Sequence, residues 1–195
     1  MPDRWIIDTN HSVIGFSAKH MMFTTVRGRF TDYEGLAEIE GEDYKTAHGE
    51  LTAKTASVDT GVADRDAHLR SADFFDADNY PEMKFVSTNI EKTGDNLYRI
   101  TGDLTIKDVT GPITVDAEAG PKINDPWGNE RIALAVSGKL NRKDWGLNWN
   151  MALEAGGFLV SETVNLEVEA TFVHPLAVPT EADSKEAASA AQAAR

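Results

Sequence analysis

Five histidines stand at positions 11, 20, 48, 68 and 174, too scattered for the close pairs that hold a metal or seat a general base. No cysteine is present, which removes thiolate nucleophiles, thiolate metal ligands and disulfides. Asp73, Asp76 and Asp78 imitate the start of a calcium loop. A loop opened at Asp76 would need glutamate at its twelfth position, where Ser87 stands. No glycine-rich loop ends in Gly-Lys-Ser/Thr, and no Gly-x-Ser-x-Gly elbow occurs. Several carboxylates could pair as acid and base, but no spacing nominates a pair. What chemistry remains lies in His20 and in the run Asp64-Arg65-Asp66-Ala67-His68-Leu69-Arg70. The expectation is a chain without metal, without cofactor and without a catalytic site.

Composition narrows the partners. The 195 residues carry 32 acidic and 19 basic side chains, a formal charge of −13. That excess argues against nucleic acid, whose phosphates demand a basic footprint, and against attraction to anionic membranes. Its simplest role is solubility. Apolar residues make up 41% and charged residues 26%, the balance of a globular domain with a sizeable core. No stretch reaches the roughly 18 apolar residues of a membrane span, and Met1 to Asp8 shows no basic region followed by an apolar run. No stable membrane insertion and a cytoplasmic location are therefore expected.

The elements that must position any site are strands. Ser12, Ile14, Phe16, Ala18 and His20 alternate with His11, Val13, Gly15, Ser17 and Lys19, the period of two that marks one buried face. The rhythm recurs in 26–39, 48–56, 83–90, 97–106, 112–119, 131–140 and 162–173, about eight strands. Polar, Gly- or Pro-bearing connections at 92–96, 107–112 and 124–129 are too short for a helical crossover, so the pairing is antiparallel. Eight such strands form a sandwich or a closed barrel, and a barrel of eight holds side chains or one small ligand. Small residues on the apolar face (Ala18, Ala37, Ala53, Gly102, Gly138) either leave room inside or mark corners.

Two segments break the rhythm. Residues 60–75 read as one short helix, capped by Asp59 or Thr60, lying as a lid or plug at a barrel end. Beyond Pro175 and Pro179 the chain turns to Ala with Glu, Asp, Lys and Ser, too poor in apolar surface to offset its ordering entropy. The expected organisation is a barrel domain over 1–174 and a disordered Ala-rich tail over 175–195.

Along this frame runs an ordered series of motifs: Trp5-Ile6-Ile7-Asp8, His11-Ser12-Val13-Ile14-Gly15-Phe16, and Val26-Arg27-Gly28-Arg29-Phe30. It continues with Arg65 to Asp76, Tyr80-Pro81-Glu82-Met83-Lys84-Phe85, Gly102 to Thr110, Asn141-Arg142-Lys143-Asp144-Trp145-Gly146-Leu147 and Glu162-Thr163-Val164. From Trp5 to about Val173 the chain resembles the YceI-like family of bacterial lipid-binding proteins. It departs at Asp108, where relatives usually have glycine, and at Trp145, where phenylalanine is frequent.

The resemblance implies an all-β, lipocalin-like, eight-stranded antiparallel barrel enclosing a polyisoprenoid or an isoprenoid-quinone-like lipid. The function it implies is non-catalytic binding, transport or storage, with a homodimer as a further expectation. The alternatives are sequestration of exogenous lipophiles such as hydrophobic antibiotics, an enzyme that turns over an isoprenoid, and a stress-linked barrel without ligand. Candidate wall residues are Ile14, Phe16, Ala18, His20, Phe30, Met83, Phe85, Leu104, Ile106, Leu134, Val136, Trp145 and Leu166. Pattern alone leaves them open between pocket wall and solid core. His20 is either a hydrogen-bonded core histidine or a contact to a lipid head group. Arg65 and Arg70 either fix the helix or supply the head group's counter-charge.

Overall fold

The computed structural model describes residues 2–41 and 43–175, so most of the expected tail lies outside the described residues. The alternating segments become strands β1 (Asp3–Ile7), β2 (Val13–His20), β3 (Thr24–Phe30), β4 (Tyr33–Ile39), β5 (His48–Lys54) and β6 (Val58–Asp59). A helix, α1 (Ala63–Arg70), separates these from β7 (Glu82–Gly94), β8 (Leu97–Ile106), β9 (Val109–Ala119), β10 (Ile123–Asn124), β11 (Asn129–Asn141) and β12 (Val160–Pro175).

Pairing reduces these to eight staves of a closed antiparallel barrel. β12 runs against β11 from Asn141↔Thr163 to Asn129↔Pro175 on one edge. On its other edge it meets β2 at Val13↔Glu169 and β1 at Ile7↔Phe172, so β1 and β2 are one stave. β3 with β4, and β5 with β6, are likewise single staves interrupted midway. Every stave neighbours the next in sequence and the last closes on the first, which leaves no long free edge.

The alternation predicts 26–39 as one strand, and the structure breaks it at Thr31 and Asp32. The three breaks lie side by side, and side chains satisfy the backbone groups they release. Ser57 Oγ accepts from Thr31 N at 3.2 Å and Asp32 N at 3.1 Å, while Tyr33 Oη donates to Ser12 O at 2.6 Å.

The helix occupies less of 60–75 than expected, and its cap differs. Val62 is the N-cap and gives no side-chain bond. Instead Asp66 reaches back from the first turn, accepting from Thr60 N at 2.8 Å and Thr60 Oγ1 at 2.6 Å. Asp59 turns to Gly61 N at 2.9 Å, because the chain reverses at Gly61 with φ of 80° before the helix begins. Leu69, Phe74 and Phe75 from this segment pack into the barrel's core clusters, so the helix and the turns after it plug one end. That end also receives the tip of β2 and the turn after β11.

Candidate functional site

Each stave sends every second side chain inward, and the lumen they surround is not filled. A cavity of about 350 Å³ runs along it, within the range of small-molecule pockets. Its wall takes Ile14, Phe16 and Ala18 from β2, Phe30 from β3, Met83 and Phe85 from β7, and Leu104 and Ile106 from β8. Leu134 and Val136 of β11 and Leu166 of β12 complete that side. The far end is reached by Ile39, Tyr44 and Ile132.

Part of this space is made by glycines on which neighbouring rings lie. A Cβ on Gly28 would stand 2.9 Å from a ring carbon of Phe16, and one on Gly102 would overlap the ring of Phe85. The aromatic faces therefore lie flat along the wall rather than across the lumen.

Four expected residues sit elsewhere. His20 ends β2, half-buried between Thr24 and Val160, off the cavity wall. Trp145 is buried behind the wall, its Nε1 donating to Leu104 O at 2.9 Å. Arg65 is taken up by Thr60, with Nε to Oγ1 at 2.7 Å and Nη2 to the carbonyl at 2.9 Å. Arg70 closes α1, half-buried and away from the lining.

Two charged residues border the cavity. Glu50 turns to the surface, where its side chain is 37% exposed and pairs with Lys84 at 2.7 Å. Arg142 is 4% exposed. Its Nε donates to Ser161 O at 2.9 Å, Nη1 to Leu147 O, and Nη2 to Val160 O at 3.5 Å. The guanidinium carbon stands 5.9 Å from the centre of the Phe74 ring. Burial pulls its pKa below the ordinary arginine value, against an opposing pull from Glu162. Sequence reading passed over Arg142, Leu69 of α1, and Phe74, Phe75 and Leu147 from irregular segments where alternation gives no signal, as well as strand residues such as Leu51, Ile100, Val115 and Phe172. Arg142 did carry a signal. It extends the inward set Ile132, Leu134, Val136, Gly138, Leu140 by one further step of two.

A larger depression of about 890 Å³ lies on the outer wall, bordered by Arg27, Arg29, Asp116, Glu118 and Glu167. It is open to solvent and charged, which suits it poorly to an apolar ligand. Among the described residues, no group of three or more His, Cys, Asp or Glu is arranged to hold a metal ion. No helix among them is long and apolar enough to cross a membrane.

The family model described as the YceI-like domain matches residues 5–172, nearly the whole barrel. The chain belongs to the YceI-like family. A UPF0312 protein of Photorhabdus laumondii subsp. laumondii is 40% identical over 139 residues, covering 71% of this chain and 72% of the relative. The crystal structure of the Campylobacter jejuni YceI protein superposes with a TM-score of 0.65 at 32% identity, over 78% of this chain and 88% of that one. A polyisoprenoid binding domain from Saccharophagus degradans shares the fold, with a TM-score of 0.66 at 16% identity, over 90% of this chain and all of that one (100%). The motifs that suggested the YceI-like family thus lie on a barrel of the expected kind.

Proposed function

We propose that this YceI-like barrel binds a long apolar lipid of the polyisoprenoid or isoprenoid-quinone class in its lumen, carrying or storing it without chemical change. The observation that carries this reading is the cavity of about 350 Å³, whose wall is apolar on stave after stave. Each methylene moved from water into such a wall contributes about 0.8 kcal/mol, offset in part by the cost of ordering a flexible chain. A lipid therefore binds tightly with no special chemistry. The Saccharophagus degradans domain, described as binding polyisoprenoid, supports the ligand class through its shared architecture.

Native mass spectrometry of the chain, purified from a bacterial host without delipidation, tests the proposal. The expected result is a co-purified mass that organic solvent releases as a lipid. A clean apo mass, together with failure to take up any fluorescent lipophile, would overturn it.

A further inference from the structure

At the plugged end the chain carries an apolar tip outside the cavity. The turn between β2 and β3 exposes Met21, Met22 and Phe23, and the loop between β11 and β12 exposes Met151 and Phe158 beside it. Exposure runs from 53% at Met21 to 88% at Phe23, so these side chains add little to the core. The two segments form one surface. Residues 151–159 fold back as a hairpin, with Leu159 N donating to Met151 O at 2.9 Å and Leu153 N to Gly157 O at 3.0 Å. Met21 N donates to Leu159 O at 2.8 Å, and Met22 lies over Gly157, where a Cβ would collide with its sulfur.

Charge is withdrawn from this tip. Residues 20–26 contain no Asp, Glu, Lys or Arg and residues 145–161 only Glu154, in a chain of which 26% is charged. Lys19, whose Nζ donates to Phe23 O at 3.2 Å, borders the tip with the sign opposite to Glu154, which leaves no net charge there. The turn is also built against its backbone. Met21 and Met22 hold φ of 49° and 67°, a region that glycine and asparagine enter far more readily, yet neither methionine packs into the core. Finally, the tip continues the lumen wall: Ala18, Val160 and Leu147 line the cavity, each a few residues of chain from Met21, Phe158 and Met151. Ile123 and Trp127, exposed at the opposite end, stand instead among Lys122, Asp125, Glu130 and Arg131.

A second copy of the chain, or another protein, fits this tip poorly. A stable interface takes roughly 800 Å² and about 20–30 residues from each partner, several times what a few side chains on two turn tips offer. A bilayer closes around a protruding tip and requires no matching surface. We infer that the barrel docks shallowly and reversibly on a net-neutral lipid bilayer through this tip, with Phe23, Phe158 and the methionines beside them entering the headgroup boundary. The choice of a bilayer rests on the lipid-binding reading above, since a bilayer is where such a cargo resides. With −13 on the whole chain and no excess of basic residues at the tip, anionic lipid should oppose docking rather than drive it.

Co-sedimentation of the full-length protein with phosphatidylcholine vesicles tests this, alongside uptake of a fluorescent lipophile without vesicles. The wild type should pellet with phosphatidylcholine and pellet less as phosphatidylglycerol is added, the loss being largest at low salt. The double variant Phe23→Ser, Phe158→Ser should bind the vesicles about tenfold or more weakly, as expected when two aromatic side chains no longer leave water, and should take up lipophile as the wild type does. Met21→Asn, Met22→Gly suits the turn better and so does not endanger the fold; it should bind the vesicles more weakly too. Trp127→Ser, at the opposite end, should bind them as the wild type does. Lipophile uptake with no vesicle binding by the wild type overturns the docking and leaves the lipid reading standing. Vesicle binding without uptake keeps the docking and overturns the lipid reading. Unchanged vesicle binding by both tip variants, or binding that rises with phosphatidylglycerol, refutes the assignment. A wild type that ignores vesicles but self-associates, and ceases to do so in Phe23→Ser, Phe158→Ser, gives the tip to a second copy instead.

Discussion

Replacing Gly102 by alanine tests whether the Phe85 ring lies on the wall, as the cavity requires. The new methyl would stand 2.5 Å from Val86 O and closer still to two ring carbons of Phe85. Contact between carbon atoms is comfortable at about 3.5–4.0 Å, so the overlap is roughly 1 Å or more. The ring can escape only towards the lumen. The carbonyl cannot, because it belongs to β7, where Ser87 is registered against Gly102. Overpacking of this kind costs about 1–3 kcal/mol, and the glycine-to-alanine change returns about 0.4–1 through the unfolded chain. The net loss is about 0–2.6 kcal/mol, or up to roughly 10 °C in Tm for a chain of this size. Gly49→Ala is the control. A methyl there meets only Ser87 Oγ, at 3.8 Å, and should gain about 0.4–1 kcal/mol. Scanning calorimetry and urea unfolding of the three proteins decide the matter, and uptake of a fluorescent lipophile should weaken in Gly102→Ala as Phe85 enters the lumen. If Gly102→Ala proves as stable as Gly49→Ala, the ring is not where this reasoning places it.

Two further predictions concern the barrel's ends. The β2–β3 turn holds Met21 and Met22 at φ of 49° and 67°, with Phe23 N bonded to His20 O at 3.2 Å, the φ signs of a turn that Asn-Gly occupies best. Both methionines are exposed, so the double change Met21→Asn, Met22→Gly should raise stability by about 1–2 kcal/mol in urea unfolding; no gain would show that the turn is not strained. At the other end Arg131 ties Asp8 (2.6 Å) to Asp125 (2.8 Å). Hydrogen bonding to Arg131 holds the Asp8 carboxyl below its ordinary 3.8, and hydrogen bonding to Asn129, then to Arg131, holds Asp125 lower still. Between the folded and unfolded values the unfolded chain binds more protons, so this stability is complete above pH ~4 and fades as pH falls further. Arg131→Gln should lower Tm at neutral pH and flatten its fall below pH ~4; an unchanged acid limb would remove the clamp from the account.

The staves were legible because alternation is a local signal with a global consequence. Ile132 to Leu140 and Val164 to Phe172 each declare one inward face, and one face per strand suffices to build a barrel. The breaks in the staves were not legible. Their cause is long-range: Ser57 answering Thr31 and Asp32, and Tyr33 reaching Ser12. β1 escaped notice because Asp3–Ile7 is too short to establish a rhythm, although Trp5 and Ile7 are both buried. The helix cap was misplaced because Thr60, a fitting cap by type, is instead the residue that Asp66 and Arg65 grip.

The wall residues share the legibility of the strands, and the exceptions show where it ends. His20 keeps the inward parity but stands at the last position of β2, off the cavity wall, although its register partner Val160 still lines it. Arg142 presents the opposite case. It too keeps the parity, yet Asn141-Arg142-Lys143-Asp144 has the composition of a solvated turn, and three of these four residues are exposed. What buries the fourth comes partly from its own turn, through Leu147, and partly from farther along the chain: Phe74 from the plug and the carbonyls that open β12. Composition assigns a charge to water, and only tertiary cover can withdraw it. The arginines that looked available from the sequence, Arg65 and Arg70, lie off the cavity, while the one that looked like surface became the cation at its end.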